Sequence, residues 1–282
     1  MNDRTPDDDG SARGTRGGLA ARLRDPALTR MALCAVLPPS TPLRRRLRHD
    51  IVFVGPNRPG WGGRGVFVFG DALEPELAVL DRLVSPGDVV LDVGANSGIY
   101  TLTAAKLVGP SGLVVSLEPN PQMLEVLDRN VRRNGLDNVR IRGLAASDHC
   151  GEVAFFENDA KPNSFSIVPR HGTLDSFSVL SVDLDTLAGW EGLERVDFIK
   201  MDVEGAEDKA VAGAAGLIAR HRPAILAEVF HGGLTAVPEG YVVYQAPTAS
   251  PNQLLVPVGH RLEAVVRELD WHEAHLPDHR AG

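Results

Sequence analysis

The chain has 282 residues, of which 43% are hydrophobic and 23% are charged, a composition that excludes a fibrous or wholly disordered protein. The net charge of −8 is unevenly placed, since residues 1–50 carry 10 Lys and Arg against 6 Asp and Glu, whereas residues 51–282 carry 19 against 31. An acidic body of this kind argues against a nucleic-acid partner.

The two cysteines and the apolar segments help to predict the cellular compartment. Cys34 and Cys150 lie far apart and show no metal-type spacing, which predicts neither a disulfide framework nor a structural metal and favours a reducing, cytoplasmic setting. The longest apolar run near the N-terminus, Met31 to Leu37, is far shorter than the roughly 20 residues that cross a bilayer. We therefore expect no membrane span and no signal peptide.

The N-terminal third divides into a tail and a cap. Residues 1–18 are polar and predict a disordered tail. Residues 19–87 predict a capping region that begins with short helices separated by prolines. It continues with a hairpin and an amphipathic helix, for which the expected elements are Ile51–Val54, Val66–Phe69 and Leu73–Val84.

From residue 88 onward, apolar strands alternate with helices, which predicts an α/β domain over residues 88–282 with a motif-bearing core at 88–230. Between Glu152 and Val182 we expect a hairpin insertion or an irregular crossover. The predicted strands are Val89–Val93, Leu113–Leu117, Val139–Arg142, Val196–Met201, Ala224–Phe230, Tyr241–Gln245 and Gln253–Val256. The predicted helices are Ser97–Leu107, Pro121–Asn134, Leu184–Trp190, Ala206–Ala219 and Leu262–Leu269.

A glycine turn follows the first of these strands. It reads D-x-G-x-x-x-G from Asp92 to Gly98, not the G-x-G-x-x-G that holds a dinucleotide pyrophosphate. Gly94 permits the turn, and Gly98 is expected to let a ligand approach the helix start. The predicted cofactor-binding residues here are Asp92, Gly94, Ala95, Asn96, Gly98, Tyr100 and Thr101.

Acidic residues follow the next two strands. Glu118, followed by Pro119 and Asn120, closes the second strand, where its carboxylate is placed to bind the two ribose hydroxyls of a nucleoside cofactor. S-adenosylmethionine fits this pattern, because it carries such a ribose but no pyrophosphate. After the third strand, Ser147 and Asp148 predict a wall against adenine, with Asp148 near the exocyclic amino group.

The fourth strand ends in a charged cluster. Lys200, Asp202, Glu204 and Glu207 fall within eight positions where an apolar strand meets a helix. Charges at such a strand end face the ligand crevice and suit acid–base work or metal coordination, although Glu207 also suits a helix cap.

These motifs resemble the FkbM-type S-adenosylmethionine-dependent methyltransferases over roughly residues 85–230. The resemblance implies a Rossmann-like methyltransferase fold, with a mostly parallel seven-stranded sheet whose seventh strand is antiparallel and with helices on both faces. It also implies methyl transfer, usually to a hydroxyl of a natural product such as a macrolide, sugar or glycolipid. The residues that carry it are Asp92–Gly98, Glu118–Pro121, Asn130, Asn134, Ala146–Asp148, Gly151, Ile199–Glu207 and Pro223–Glu228.

A hydroxyl acceptor needs help to lose its proton, because an alcohol is a weak nucleophile near neutral pH. His231, just beyond the fifth strand, is the first candidate base, and a plain loop histidine is the alternative. Lys200, Asp202 and Glu204 are further catalytic candidates. Asp202, Glu204 and Glu228 could instead ligate Mg²⁺, which would lower the pKa of the hydroxyl.

Two other classes compete with a methyltransferase. An NAD(P)-dependent oxidoreductase would also use Glu118 on a ribose, but the third glycine of its motif is missing. A non-catalytic cofactor-binding module would not need the charged cluster of the fourth strand. The predicted partner is a small-molecule hydroxyl acceptor, without nucleic acid or membrane, and a homo-oligomer is left open.

Overall fold

The computed structural model describes residues 25–158, 165–169, 173–229, 234–247 and 250–274. The predicted tail at residues 1–18 lies outside the described residues, as do His231 and the predicted end of the fifth strand at Phe230.

The N-terminal region differs from the prediction. Residues predicted as the second hairpin strand are helical, and the true hairpin pairs two strands whose register joins Leu43 to Gly55. The predicted helix from Leu73 to Val84 is instead two 3₁₀ turns and a short helix. The elements are α1 (Pro26–Val36), β1 (Pro42–Arg46), β2 (Val52–Pro56), α2 (Gly63–Phe69), 3₁₀ turns at Gly70–Leu73 and Pro75–Ala78, and α3 (Leu80–Leu83).

Two local features explain this difference. In β1, Leu43 is buried between exposed neighbours, so the arginine-rich segment follows the two-residue period of a strand. Gly55 and Gly63 pack backbone to backbone, and a Cβ on Gly63 would lie 2.4 Å from the carbonyl carbon of Gly55. This close approach seats α2 on β2 and could not be read from periodicity.

From residue 88 the predicted alternation of strands and helices is present. The helices formed by the described residues are at most 13 residues long, and none of them is long and apolar enough to span a bilayer. The elements are β3 (Val89–Val93), α4 (Ile99–Val108), β4 (Leu113–Leu117), α5 (Pro121–Arg133), β5 (Val139–Arg142), β6 (Ala145–Ala146), β7 (Gly151–Asn158), β8 (Phe165–Ser166), β9 (Thr173–Val182), α6 (Leu184–Glu191), β10 (Phe198–Met201), α7 (Glu207–Ala212), α8 (Ala215–His221), β11 (Ala224–Glu228), β12 (Tyr241–Gln245), β13 (Asn252–Pro257), α9 (Leu262–Glu268) and β14 (His272–Glu273).

The central sheet has the order β14-β12-β13-β11-β10-β3-β4-β5. Strands β11, β10, β3, β4 and β5 are parallel, whereas β13 is antiparallel to both of its neighbours. Two-residue β14 extends the edge beyond the seven main strands. The predicted Rossmann-like methyltransferase fold, with its antiparallel seventh strand, is confirmed.

The sheet is buried on both faces. Alternate strand residues belong to two apolar clusters, so that Val90 packs in the cluster containing Leu102 of α4 and Leu91 packs in the cluster containing Leu217 of α8. This double burial explains why β3, β4 and β11 are largely apolar runs. Because β3 and β10 are neighbours while their connections leave to opposite sides, a ligand crevice is expected at their carboxyl ends.

Two further differences affect the site. The predicted hairpin insertion is a second sheet of order β6-β9-β7-β8, in which β7 and β9 pair antiparallel. The predicted single helix Ala206–Ala219 is divided into α7 and α8 at Gly213. A Cβ on Gly213 would lie 2.0 Å from the carbonyl oxygen of Ser147, so the helix breaks where it meets the small sheet.

Candidate functional site

Gly94 brings two strand ends into contact. It has a φ of +82°, and a Cβ there would lie 1.8 Å from the carbonyl oxygen of Asp202. The backbone N–H of Asp202 donates to the carbonyl of Val93 at 2.9 Å. The glycine therefore allows the segment after β10 to lie directly against the turn after β3, which places Asp202 in the crevice.

Gly98 lies where α4 begins and contacts α5. Its φ is +95°, and a Cβ there would lie 2.4 Å from Cδ1 of Leu127 in α5. The absence of a side chain thus allows α4 and α5 to pack closely, and the approach of a ligand to this glycine stays a prediction.

Asp92 lies behind the turn. Its side chain is buried, and Oδ2 accepts a hydrogen bond from Thr101 Oγ1 at 2.5 Å, while that hydroxyl is 2.9 Å from Ser116 Oγ. Burial raises the pKa of the Asp92 carboxyl, against the effect of the Thr101 hydroxyl. The structure places Asp92 and Thr101 in a buried network that joins β3, β4 and α4, and their contact with a cofactor stays a prediction.

Glu118 lies at the wall of the crevice, where it fixes two loops. Its Oε2 accepts from the N–H of Asn96 and its Oε1 from the N–H of Asn120, each at 2.7 Å. Burial raises the pKa of Glu118 to about 7, and these two N–H donors oppose the shift. The carboxylate is thus held rigidly at the carboxyl end of β4, as ribose recognition requires.

The crevice is open to solvent, and its wall is largely apolar with a few polar groups at the strand ends. This chemistry suits a nucleoside ligand, so S-adenosylmethionine fits the residues present. The sequence-predicted residues at the wall are Gly94, Asn96, Glu118, Pro119, Asn120, Asp202 and Glu204, and Met123, Leu144, Ala145, Ala146, Phe155, Phe165, Ile167, Val203 and Ala206 complete it.

Aromatic side chains of the small sheet are wall residues that sequence reasoning missed. Phe155 and Phe165 stack with ring centroids 5.2 Å apart, and Phe177 contacts both rings edge-on. Phe155 and Phe165 face the cavity. The alternating aromatic residues of β7 and β9 were a signal for a buried hairpin face, but the sequence did not show that this face meets the cofactor crevice.

Only part of the segment after β5 lines the cavity. Leu144 and Ala146 line it, whereas Ser147 is fully buried and Asp148 lies outward, with Oδ1 of Asp148 2.7 Å from His149 Nδ1. The hydrogen bond with His149 lowers the pKa of Asp148. Asp148 is outside the cavity wall in this arrangement, and its contact with an adenine amino group stays a prediction.

Lys200 is buried beneath the crevice. Its Nζ lies 3.7 Å from Asp202 Oδ2 and 4.7 Å from the centre of the Tyr100 ring. Neither Lys200 nor Tyr100 lines the cavity, nor does the buried Ala95, whose N–H donates to the Leu117 carbonyl. Lys200 is thus a positioning residue for Asp202.

Glu207 closes the loop that follows β10. Its Oε1 accepts from the N–H groups of Val203 and Gly205, at 3.3 and 3.1 Å, and burial raises its pKa. Between them Glu204 has a φ of +53° and lines the cavity. Glu207 therefore fixes the loop before α7 and does not cap the helix itself. Asp202 and Glu204 are the acids of this cluster that line the cavity.

Glu228 ends β11 beside Asp202. Met201 and Ala227 are paired in register, so the residues that follow them emerge next to each other. Burial, together with the adjacent Asp202 carboxylate, raises the pKa of Glu228 to about 8. In the described part of the chain, no group of three His, Cys, Asp or Glu side chains is arranged to hold a metal ion, so the predicted Mg²⁺ set of Asp202, Glu204 and Glu228 is not supported.

Comparison with known proteins agrees with this geometry. Residues 92–243 match the family model described as the methyltransferase FkbM domain. The chain belongs to the FkbM methyltransferase family. As a family member it is an S-adenosylmethionine-dependent methyltransferase, a finding that decides against the oxidoreductase alternative.

Individual FkbM-related and other methyltransferases match to different extents. The 2-O-methyltransferase NoeI of Sinorhizobium fredii is 29% identical over 54% of this chain and 67% of its own length. A ribosomal protein L11 methyltransferase of Chloroflexus aurantiacus is 41% identical over 25% of this chain and 22% of its own. A crystal structure of methyltransferase FkbM from Methylobacillus flagellatus is 17% identical with a TM-score of 0.44, over 84% of this chain and 60% of that one.

Proposed function

We propose that the chain is an O-methyltransferase that transfers the methyl group of S-adenosylmethionine to a hydroxyl of a small molecule, a natural product such as a macrolide, sugar or glycoside. The observation that carries the proposal is the pair Asp202 and Glu228, two carboxyl groups side by side at the edge of the cofactor cavity. The likeness to NoeI, a 2-O-methyltransferase by name, supports transfer to oxygen.

In the proposed reaction, S-adenosylmethionine supplies the methyl group on a sulfonium, so the C–S electron pair stays on sulfur as the new C–O bond forms. This chain must align the hydroxyl and take its proton. With its pKa raised to about 8 by burial and by Asp202, Glu228 keeps its proton at neutral pH, which leaves the accepting role to Asp202. Lys200 holds Asp202 in place. His231 stays a predicted base that lies outside the described residues.

Transfer of tritium from methyl-labelled S-adenosylmethionine to a panel of polyhydroxylated acceptors tests this proposal. We expect Asp202→Asn to lower turnover by about 100-fold, the lower range for loss of a general base, while S-adenosylhomocysteine affinity changes much less. Asp137→Asn, an exposed aspartate, is the matched control. Unchanged turnover in Asp202→Asn would remove Asp202 as the base, and cofactor binding without transfer to any acceptor would favour a non-catalytic module.

A further inference from the structure

A loop of the N-terminal cap lies against the turn that follows β3. This cap loop, residues 57–62, joins β2 to α2, and it lies outside the residues that match the family model. Its Gly62 faces the buried Ser97, since a Cβ on Gly62 would lie 2.1 Å from Ser97 Oγ and 2.6 Å from Ser97 Cβ. The cap thus reaches the glycine-rich turn of the cofactor crevice at a point where no side chain fits between them.

Both ends of the cap loop are fixed. At its start, the side-chain nitrogen of the buried Asn57 donates to the carbonyls of Cys34 and Leu37 at the C-terminal end of α1, at 2.8 and 2.9 Å. Just beyond its end, Gly63 packs backbone to backbone on Gly55 of β2. The loop therefore cannot withdraw from the turn without losing contacts at both ends.

The backbone of Gly62 is strained at this contact. Its φ is +67° and its ψ is −45°, and the N–H of Gly63 donates to the carbonyl of Trp61 at 2.7 Å. This is the rare, strained form of the three-residue γ-turn. Such strain persists only where the surrounding structure fixes it, and it is concentrated at functional sites.

The turn that receives Gly62 carries one of the two donors to Glu118. The N–H of Ser97 donates to Asn96 Oδ1 at 2.7 Å, and Asn96 has a φ of +50°. The N–H of Asn96 donates in turn to Glu118 Oε2. A displacement of Ser97 would therefore move this donor away from the Glu118 carboxylate.

The cap loop also adjoins the segment that carries the second donor. The ring of Trp61 borders a surface groove together with Asn120 and Gln122 at the start of α5, and the N–H of Asn120 donates to Glu118 Oε1. The guanidinium of Arg58 lies 5.0 Å from the centre of the Trp61 ring, a cation–π contact that restrains the ring. One loop of the cap thus meets both segments that hold Glu118.

We propose that the cap loop positions the cofactor site through Gly62 and Trp61. It holds the turn after β3 and the start of α5 so that both N–H donors fix Glu118, and it thereby sets the affinity for S-adenosylmethionine. The inference rests on the predicted contact of Glu118 with the ribose and makes no use of the acceptor. Gly62 and Trp61 are positioning residues in this scheme, because they act through Glu118.

Calorimetric titration of Gly62→Ala with S-adenosylhomocysteine tests the contact. The new methyl group must displace Ser97, so we expect binding about tenfold weaker than in the wild type at pH 8. Gly135→Ala is the matched control, since it also places alanine at a positive φ, +59°, but meets no atom within 4 Å in the described part of the chain. The control should bind as the wild type does. Equal affinities of the two variants would overturn the inference.

Removal of the opposing side chain should restore binding. In Gly62→Ala/Ser97→Gly, the Oγ and Cβ atoms that the new methyl group would meet are gone. Affinity should therefore return to within about threefold of that of Ser97→Gly alone. If the double variant bound as weakly as Gly62→Ala, the alanine would act through its own backbone strain, and the inference would fail.

The pH dependence of binding separates positioning from a general loss of stability. The Asn96 N–H opposes the raised pKa of Glu118, so its displacement should raise that pKa further. As the pH is lowered, the affinity of Gly62→Ala should thus begin to fall at a higher pH than that of the wild type, and the double variant should reverse this shift. Asp92 and Asp202, whose charges also raise the pKa of Glu118, are the same in every variant. A loss of affinity that is equal at every pH would overturn the inference.

Trp61→Ala tests the same loop without a strained alanine and decides the matter if Gly62→Ala does not fold. Loss of the ring should weaken binding by about threefold or more, because it frees the start of α5. Trp190→Ala is the control, at a ring that is 65% exposed on α6, and should bind as the wild type does. With Gly62→Ala unfolded, equal affinities of the two tryptophan variants would overturn the inference.

The wild type separates this inference from the proposed function. If it does not bind S-adenosylhomocysteine, both fail. If it binds and the cap-loop variants bind equally well, only the role of the cap loop fails. If the variants behave as expected but labelled methyl groups reach no hydroxyl acceptor, the proposed function fails and the role of the cap loop stands.

Discussion

Glu118 is the residue whose ionisation should control cofactor affinity. Its carboxyl has a pKa raised to about 7 by burial, yet two ribose hydroxyls are best bound by the ionised form. Protonated Glu118 becomes more populated as the pH falls, and it must lose its proton before the ligand binds. Affinity for S-adenosylhomocysteine should therefore weaken by about tenfold from pH 8 to pH 6, with the pH dependence of a single titrating group.

Calorimetric titration across this pH range measures the effect. Glu118→Gln should bind more weakly at pH 8 and show little change with pH. Glu125→Gln, an exposed glutamate on α5, should retain the wild-type slope. If the Glu118 variant kept the full tenfold change, another group would control binding.

Replacing Gly94 should lower the free energy of unfolding. Gly94→Ala must move the Asp202 carbonyl, 1.8 Å from the new Cβ, and must also hold alanine at a φ of +82°. Overpacking and left-handed strain together should cost about 3 kcal/mol or more of unfolding free energy. Urea denaturation measures this against Gly135→Ala, since Gly135 has a φ of +59° and open space around its Cβ within the described structure. That control should lose only about 1 to 2 kcal/mol, and equal losses would show that the contact with Asp202 is unimportant.

At the scale of elements, Asn130 of α5 and Asn134 at its C-cap bind the backbone of β2 as a neighbouring strand would. The Asn130 side chain accepts from Val54 N–H at 2.9 Å and donates to the Val54 carbonyl at 3.1 Å. Asn134 makes the equivalent two bonds with Val52, at 2.7 and 3.0 Å. The spacing of four residues on the helix matches alternate residues of β2, so the helix docks the N-terminal hairpin.

Asn130→Ala should therefore loosen this docking. Asn130 is fully buried, and its loss leaves two backbone groups of β2 without partners, at a cost of about 1 to 3 kcal/mol. Thermal and urea unfolding should show that loss. Glu125→Ala on the exposed face of the same helix should stay within about 0.5 kcal/mol. If Asn130→Ala left the free energy of unfolding unchanged, the hairpin would be held by its apolar contacts alone.

The elements also show what sequence can and cannot predict. Strands β3 and β4 begin and end where their apolar runs do, because a doubly covered parallel strand is recorded directly in composition. The N-terminal segments were predicted wrongly, since the seating of α2 depends on the contact of Gly55 with Gly63. Such a contact joins residues through tertiary structure and leaves no local period.

The same division holds for the site. Glu118 and Asp202 were predicted because any acid that ends a parallel strand lies at the ligand edge. Asp92 also ends such a strand, but its side chain turns inward to Thr101, which alternation alone does not reveal. Phe155 was missed because its contact with the cavity depends on how the inserted sheet docks.

At the scale of the whole molecule, the cofactor cavity lies between two sheets. Residues after β3, β4 and β10 of the central sheet form one wall, and Phe155 and Phe165 of the small sheet form another. We propose that the predicted division holds in this form, with residues 19–87 as a cap on a single methyltransferase domain. A ligand that fills the cavity would then contact both sheets at once and stabilise their contact.

Hydrogen exchange should reveal this coupling. Saturation with S-adenosylhomocysteine at 100 times its dissociation constant should slow exchange by up to about 100-fold, both in the turn after β3 and in the β7–β9 hairpin. Helix α9, whose residues do not line the cavity, is the internal reference.

Phe155→Ala should lose the protection of the hairpin but keep that of the turn. Phe177→Ala, at a ring that is 39% exposed and outside the cavity wall, should keep both, because of the aromatic residues of the β7–β9 hairpin it is Phe155 that lines the cavity. Protection confined to the central sheet in the wild type would show that the hairpin does not respond to the ligand.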